Sequence, residues 1–214
     1  MKMLAFEFSP PQRSVALVNG AACFEAVETA IRNTDAMGMI GKVLLAAGLE
    51  REEVECLVVG LGPGSYHGIR AAIALAQGWQ LANGVKILGV SSAEGVAAQA
   101  QAEGFEGIAS VVIDAQRNEF YMARYEIGSS GCREIVPLRI VSLAEVQASE
   151  ATGELLIGPE VPRWFPLGRT IFPHATTLGK LAVNRSDFVT GEKLEPIYLR
   201  ETAFVKAPPL RVII

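Results

Sequence analysis

Residues able to do chemistry gather around Gly60-Leu61-Gly62-Pro63-Gly64-Ser65-Tyr66-His67-Gly68-Ile69-Arg70. Glycines ahead of a helix expose backbone N–H groups, a composition suited to cradling a phosphate. The loop is not a Walker motif, because no Lys-Ser/Thr pair follows at the required spacing. Nor is it a dinucleotide fingerprint, since Gly62-Pro63-Gly64-Ser65-Tyr66-His67 ends in His67 where the last glycine belongs. The competing reading is a tight turn that aims the following helix. Ser65 with His67 nearby suggests a nucleophile and its base, but Pro63 and His67 occupy the glycine positions of a Gly-x-Ser-x-Gly elbow. A serine opening a helix reads instead as its N-cap.

Other polar residues are more scattered. The two histidines, His67 and His174, are far apart in sequence, whereas a metal site needs convergent ligands. No histidine-based metal site is expected. Glu7 and Asp114 are carboxylates of the kind that hold magnesium through water, without spacing that brings them together. Asp114-Ala115-Gln116-Arg117-Asn118-Glu119-Phe120-Tyr121 sits between two strands. It presents Arg117 and Glu119 either to a ligand or as a surface ion pair on a hairpin.

The elements that must position these residues follow from apolar patterning. Met3–Phe6, Ser14–Val18 and Ala22–Val27 read as strands, the last two joined by an Asn19-Gly20 turn. A helix from Asp35 to Ala47 is capped by Thr34 and closed by Gly48. Cys56–Val59 is a buried strand, and Arg70–Asn83 a helix apolar on nearly every side, its Arg70, Gln77 and Gln80 forming one narrow polar stripe. Val85–Val90 is a strand, followed by a helix capped by Ser91 or Ser92 and running to Glu103. Strands at Ile108–Asp114, Glu119–Tyr125 and Glu134–Val141 then repeat the opening order. A short helix from Ser142, a strand at Leu155–Ile157 and a helix at Ala175–Asn184 follow, with a Pro208-Pro209 stop near the end. A three-strand unit followed by alternating helices and strands, begun twice, predicts two related α/β lobes, residues 1–104 and 105–214, divided near Gly104–Gly107.

The chain has 214 residues, half of them hydrophobic, enough to bury a sizeable core. Its mean hydropathy of +0.30 is high, yet no run reaches the roughly 18 apolar residues of a spanning helix. Met1–Glu7 lacks a signal-peptide layout. The surplus apolar surface therefore predicts protein contacts rather than lipid. Three widely spaced cysteines fit a reduced, cytoplasmic chain. A net charge of −4 without a basic cluster speaks against autonomous binding to nucleic acid.

Three segments together resemble the TsaB (YeaZ) family of the bacterial machinery for tRNA threonylcarbamoyladenosine. Gly62–Arg70 is similar to its Gly-Pro-Gly-Ser-Phe-Thr-Gly-Leu-Arg signature, Asp114–Tyr121 to its Asp-Ala-Arg-Arg-x-Glu-x-Tyr segment, and Pro196–Arg200 to its Pro-x-Tyr-Leu-Arg. The resemblance implies two tandem actin-like ATPase (ribonuclease H-like) lobes, the second smaller. It implies a non-catalytic subunit, because the related catalytic subunit, TsaD, carries a His-x-x-x-His that this chain lacks. The expected partners are a TsaD-like catalytic subunit and a TsaE-like ATPase in one complex, or a second copy when the partner is absent, with tRNA met only through the complex.

In the family the first-lobe helices make the interface, and here they place Met37, Ile40, Val43, Leu44, Ala71, Leu75, Gly78 and Trp79 as partner-binding residues. Gly62, Gly64, Ser65, Gly68, Arg70, Asp114, Arg117 and Glu119 are the motif residues that would face a nucleotide. No cofactor is expected on this chain alone; the shared interface of the complex leaves room for ATP or ADP with magnesium. Several positions depart from the pattern. Glu7-Phe8-Ser9 stands for Asp-Thr-Ser, Arg32–Asp35 lacks the common His-Ser, His67 replaces a threonine and Gln116 an arginine. These departures argue against nucleotide binding by this chain alone. The alternative function is a stand-alone ATPase or phosphotransferase of the same fold, using Glu7, Asp114 and the glycine-rich loop.

Overall fold

Lys2–Glu7 (β1) is apolar on both sides because it lies at the centre of a sheet covered on both faces. The structure, a computed structural model, describes residues 1–29 and 35–199. β1 pairs antiparallel with Gln12–Asn19 (β2), which turns at Gly20 (φ 62°) into Ala22–Thr29 (β3). On its other side β1 runs parallel to Cys56–Gly60 (β4), and β4 parallel to Lys86–Val90 (β5). The order is β3-β2-β1-β4-β5.

The second sheet repeats this plan. Gly107–Asp114 (β6), Glu119–Gly128 (β7) and Gly131–Ser142 (β8) form the antiparallel part, and Leu155–Gly158 (β9) and Arg169–Thr170 (β10) the parallel part, ordered β8-β7-β6-β9-β10. An antiparallel meander extended by two parallel strands is the ribonuclease H-like arrangement. The chain therefore holds two tandem actin-like ATPase lobes. The two-residue β10 gives too short an apolar signal to be read from sequence.

Among the described residues, five α-helices fill the layers. Ala36–Ala47 (α1) and Tyr66–Asn83 (α2) cover the outer face of the first sheet, where Met39, Ile40, Val43, Leu44, Ile69, Ala72, Ile73 and Ala76 meet Leu4, Phe6, Leu17, Leu57 and Val59. Leu143–Ala151 (α4) lies against β7 and β8 of the second sheet, whose outer core includes Val146, Val161 and Phe165.

The middle layer is exchanged. Ser92–Ala102 (α3) precedes the second sheet in sequence yet packs on it through Ala93, Val96, Ala97 and Ala100. Ala175–Ala182 (α5) follows the second sheet yet packs on the first, setting Ala175, Leu178 and Ala182 against Met3, Ala5, Val18, Val58 and Leu88. Gly179 permits this approach, since a Cβ there would stand 2.6 Å from Val18 Cγ2. The two helices touch, with Thr177 Oγ1 donating to Gln99 Oε1 at 2.6 Å. The sheets thus divide at residues 103–106, while the helical packing crosses that line in both directions.

Helix ends differ from the sequence reading in detail. α1 is capped by Asp35, whose carboxylate accepts the Gly38 N–H at 2.9 Å, and Gly48 closes it with φ 66°. Thr34, the expected cap, lies outside the described residues, as do Arg32, Asn33, Arg200 and Pro208-Pro209. α2 begins four residues earlier than expected, with Ser65 as its cap. Ser91 takes the cap position of α3.

Candidate functional site

The glycine-rich loop leaves β4 at Gly60 and enters α2 at Tyr66. Part of its backbone is bonded within the fold. The Gly62 N–H donates to Ser92 Oγ (3.1 Å), the Ser65 N–H to the Ser9 carbonyl (2.8 Å) and the Gly68 N–H to Ser65 Oγ (3.3 Å). The Gly62 carbonyl accepts the Ser92 N–H at 2.8 Å. Glycine is required at 68, where a Cβ would lie 1.9 Å from the Phe8 carbonyl oxygen, and at 64, where φ is 150° and a Cβ would sit 2.6 Å from that of Ser9. These glycines serve close contact between α2 and the end of β1. The N–H groups of Gly62, Ser65 and Gly68 already have acceptors within the fold, which removes three donors from any phosphate cradle.

Glu7 sits beneath the loop with no exposed surface. Its carboxylate accepts the Ser9 N–H (2.7 Å) and the Ser92 hydroxyl (2.8 Å). Burial pushes its pKa up, and the hydrogen bonds from Ser9 and Ser92 and the nearby His174 only partly offset this. A carboxylate so enclosed ties β1, the loop and the start of α3 together. It is not placed to bind magnesium through water. Ser65 Oγ is engaged as the helix cap, and the His67 ring packs edge-on against Tyr66 with centroids 5.4 Å apart. Among the described residues, no group of three or more His, Cys, Asp or Glu side chains is placed to hold a metal ion.

Between the lobes lies a cleft of about 560 Å³. Ser9, Gly64, Ser65 and Tyr66 line it from the first lobe, and Asp114, Tyr121 and Glu160 from the second, with Tyr198 at its edge. The motif residues Gly64, Ser65 and Asp114 therefore converge, although they are 50 residues apart in sequence. Gly62 and Gly68 are buried in the loop packing instead. Arg70 is exposed and reaches Tyr198, its Nε donating to the phenol oxygen at 3.4 Å. Arg117 is at the tip of the β6–β7 hairpin, and Glu119 opens β7; neither is among the described lining residues of the cleft.

That hairpin has an unusual backbone. Gln116, Arg117 and Asn118 all have positive φ, 66°, 60° and 60°. Left-handed conformations cost roughly 1–2 kcal/mol per non-glycine residue. Asp114 offsets part of this by accepting the Gln116 N–H at 2.7 Å, and the Asn118 carbonyl accepts the Leu143 N–H at 3.2 Å. The hairpin could be read from the polar run between two strands, but three successive left-handed residues have no signature in sequence without glycine.

The outer face of α1 and α2 corrects the residue choice made from sequence. Ile40, Val43 and Leu44 are at most 4% exposed, turned onto the first sheet, and no partner can reach their side chains. Leu75 and Trp79 are half-buried against the same core. Met37, Ala71 and Gly78 are exposed. On α1 Met37, Gly41 and Leu45 share one exposed side, and on α2 Ala71, Ala74, Gly78 and Leu81 share another, with Leu45 83% and Leu81 89% exposed. Space is open around Gly41 and Gly78, where an added Cβ would meet nothing within 4 Å. The signal was present in sequence as the i, i+4, i+8 set Met37-Gly41-Leu45, out of phase with the core set. No helix among the described residues is long and apolar enough to cross a membrane.

Comparison with known proteins adds a second line. The family model described as TsaD, tRNA N6-adenosine threonylcarbamoyltransferase, matches residues 32–177, more than half of the chain. An Escherichia coli protein named tRNA threonylcarbamoyladenosine biosynthesis protein TsaB is 26% identical over 98% of this chain and 99% of its own length. A Bacillus subtilis protein of the same name is 31% identical over 51% of this chain and 47% of its length. Among solved structures, a Pseudomonas aeruginosa protein described as similar to peptidase YEAZ superposes with a TM-score of 0.82 at 25% identity, covering 93% of this chain and 99% of that one.

Proposed function

The chain belongs to the TsaB (YeaZ) family, and from that membership we propose that it is a non-catalytic subunit that pairs with a TsaD-like catalytic subunit. The reaction it supports is threonylcarbamoylation of the tRNA adenosine next to the anticodon. The observation that carries this reading is the exposed apolar stripe on α1 and α2. Small residues at 41, 71, 74 and 78 let another helix approach closely, and Leu45 and Leu81 project as knobs beside them. Burying each leucine contributes about 1.5–3 kcal/mol. Isolated exposed leucines need no explanation, but Met37 and Leu45 on α1 and Leu81 on α2 lie among exposed small residues and leave apolar helix faces uncovered.

The subunit acts by differential binding, favouring the active state of its partner. A TsaE-like ATPase joins the same complex, and tRNA, which a chain of net charge −4 is poorly suited to attract, is met only there. Without its partner the same stripe pairs two copies of this chain. The complex works in the cytoplasm. A stand-alone ATPase or phosphotransferase would draw on Glu7, Asp114 and the glycine-rich loop, but Glu7 is buried and bonded to Ser9 and Ser92, and the N–H groups of Gly62, Ser65 and Gly68 already have acceptors within the fold. Calorimetry with millimolar ATP and magnesium on the isolated chain tests it, with no binding expected.

The deciding experiment mixes the chain with the TsaD-like protein of the same organism and measures mass by light scattering. A heterodimer that replaces a homodimer is expected. The Leu45→Glu/Leu81→Glu variant should stay folded and form neither. A double variant that still gives the full complex mass would overturn the assignment.

A further inference from the structure

The polar stripe of α2 has an occupant within the chain. Arg70, Gln77 and Gln80 lie on one flank of the helix, between its buried face and the exposed apolar stripe. All three bind the segment Val189–Tyr198, which follows α5 and returns to the first lobe. The Val189 N–H donates to the Ile87 carbonyl (2.9 Å), extending the edge of β5. Gly191 is clasped by both glutamines: its carbonyl accepts from Gln77 Nε2 at 2.8 Å and its N–H donates to Gln80 Oε1 at 2.6 Å. A Cβ at 191 would stand 3.1 Å from Gln77 Cγ, a measure of how closely the segment lies against α2. Leu194 is buried in the first-lobe core, and the Ile197 N–H donates to the Leu61 carbonyl at 2.9 Å. Tyr198 then stacks on Tyr66 (centroids 5.9 Å apart, planes 19°), with the Arg70 guanidinium 4.3 Å over the Tyr66 ring.

We propose that Val189–Tyr198 is a strap that positions α2, so that affinity for the partner depends on residues that never touch it. This rests on the partner surface proposed above. A helix whose stripe is held at one angle loses less freedom on association than one that rocks against the sheet. Gln77, Gln80, Gly191 and Tyr198 are positioning residues in this scheme. The strap also places Tyr198 at the rim of the interlobe cleft, so one segment joins the cleft to the partner-facing helix.

The test uses the full chain with Gln77→Ala/Gln80→Ala and, separately, Tyr198→Ala, whose side chain is exposed enough to leave folding intact. Backbone amide exchange is measured without partner, and affinity by titration with the TsaD-like subunit. Loss of these contacts should speed exchange in α2 about tenfold while α1 is unchanged, and weaken the partner about tenfold. Tyr198→Phe, which keeps the ring stack, should restore most of both. Unchanged exchange in α2 would overturn the strap itself. Faster exchange with unchanged affinity would overturn its link to the partner. If Leu81→Glu also bound normally, the surface assignment would fail instead, and the exchange data would still judge the strap.

Discussion

The two lobes share a strand order and differ in the element after the fourth strand. After β4 comes α2, 18 residues long, with an apolar stripe left open to solvent. After β9 comes only the 3-10 turn Val161–Arg163, closed by Trp164 and Phe165. Phe165 is fully buried, its ring meeting Phe120 edge-on at 5.2 Å, so the second lobe finishes its own outer layer with aromatic side chains. Ile108 and Leu167 are exposed there, but each stands apart from any helical stripe. The first lobe carries more helix than its sheet needs. The apolar surface that the fold leaves unused is the surface available for a partner.

The exchanged helices set a limit on how independent the lobes are, and the largest expected effect comes from separating them. A chain of residues 1–104 would keep α3 without the sheet it covers and lose α5 from the face of β1, β2 and β4. It is expected to show no cooperative urea transition by circular dichroism. A sharp transition would mean that the first sheet completes its core alone, and the two lobes would then be separable units.

Next come single residues that contrast the layers. Gly68→Val drives a side chain into the Phe8 carbonyl and should leave little folded protein at about 37 °C. Phe165→Ala empties the aromatic plug of the second lobe and should cost about 3–5 kcal/mol by urea denaturation, without changing the complex formed by the folded fraction. Ile40→Ala, beneath α1, should cost about 2–5 kcal/mol. Leu45→Glu, one turn away on the open side, should alter stability by no more than about 0.5 kcal/mol while weakening the complex. Equal effects of Ile40→Ala and Leu45→Glu on stability would erase the distinction between the two phases of α1.

That distinction also marks how much was legible beforehand. The repeated strand order, the helices and the excess apolar surface came from period and composition, because each is a local pattern. The phase of α1 did not, since Met37-Gly41-Leu45 and Ile40-Val43-Leu44 both fit a helix apolar on more than one side. The exchange of α3 and α5 was hidden for a different reason: both are small-residue helices that could cover either sheet. Ser92 was visible only as a possible cap, although its hydroxyl bridges Gly62 and Glu7. The polar stripe of α2 was visible, but a segment more than 100 residues later supplies its partners.

The smallest effect tests how α5 is fixed to the first lobe. His174 Nδ1 lies 3.1 Å from Glu25 Oε2 on β3, and the other carboxylate oxygen accepts the Thr176 N–H at 3.0 Å. The hydrogen bond to Glu25 raises the His174 pKa above its ordinary value, against the opposing effect of burial. For Glu25, burial acts upward, but the bonds from His174 and Thr176 outweigh it and hold the carboxyl below its usual range. A raised histidine stabilises fully below its unfolded pKa, about 6.5, and that contribution fades as pH climbs through the folded value. A lowered carboxylate stabilises above about 4.3 and fades as pH falls. Glu7, raised by burial, loses stability in the same sense as His174, but starting near about 4.3 rather than about 6.5. His174→Gln should therefore remove the decline that begins above about pH 6.5, worth roughly 0.5–1 kcal/mol for a partly buried pair, and also lessen the loss that Glu25 carries as pH falls. Glu7→Gln should flatten the decline that begins lower. Urea midpoints measured from about pH 4 to about pH 9 separate the two. An unchanged profile in His174→Gln would mean that α5 is held by its apolar face alone.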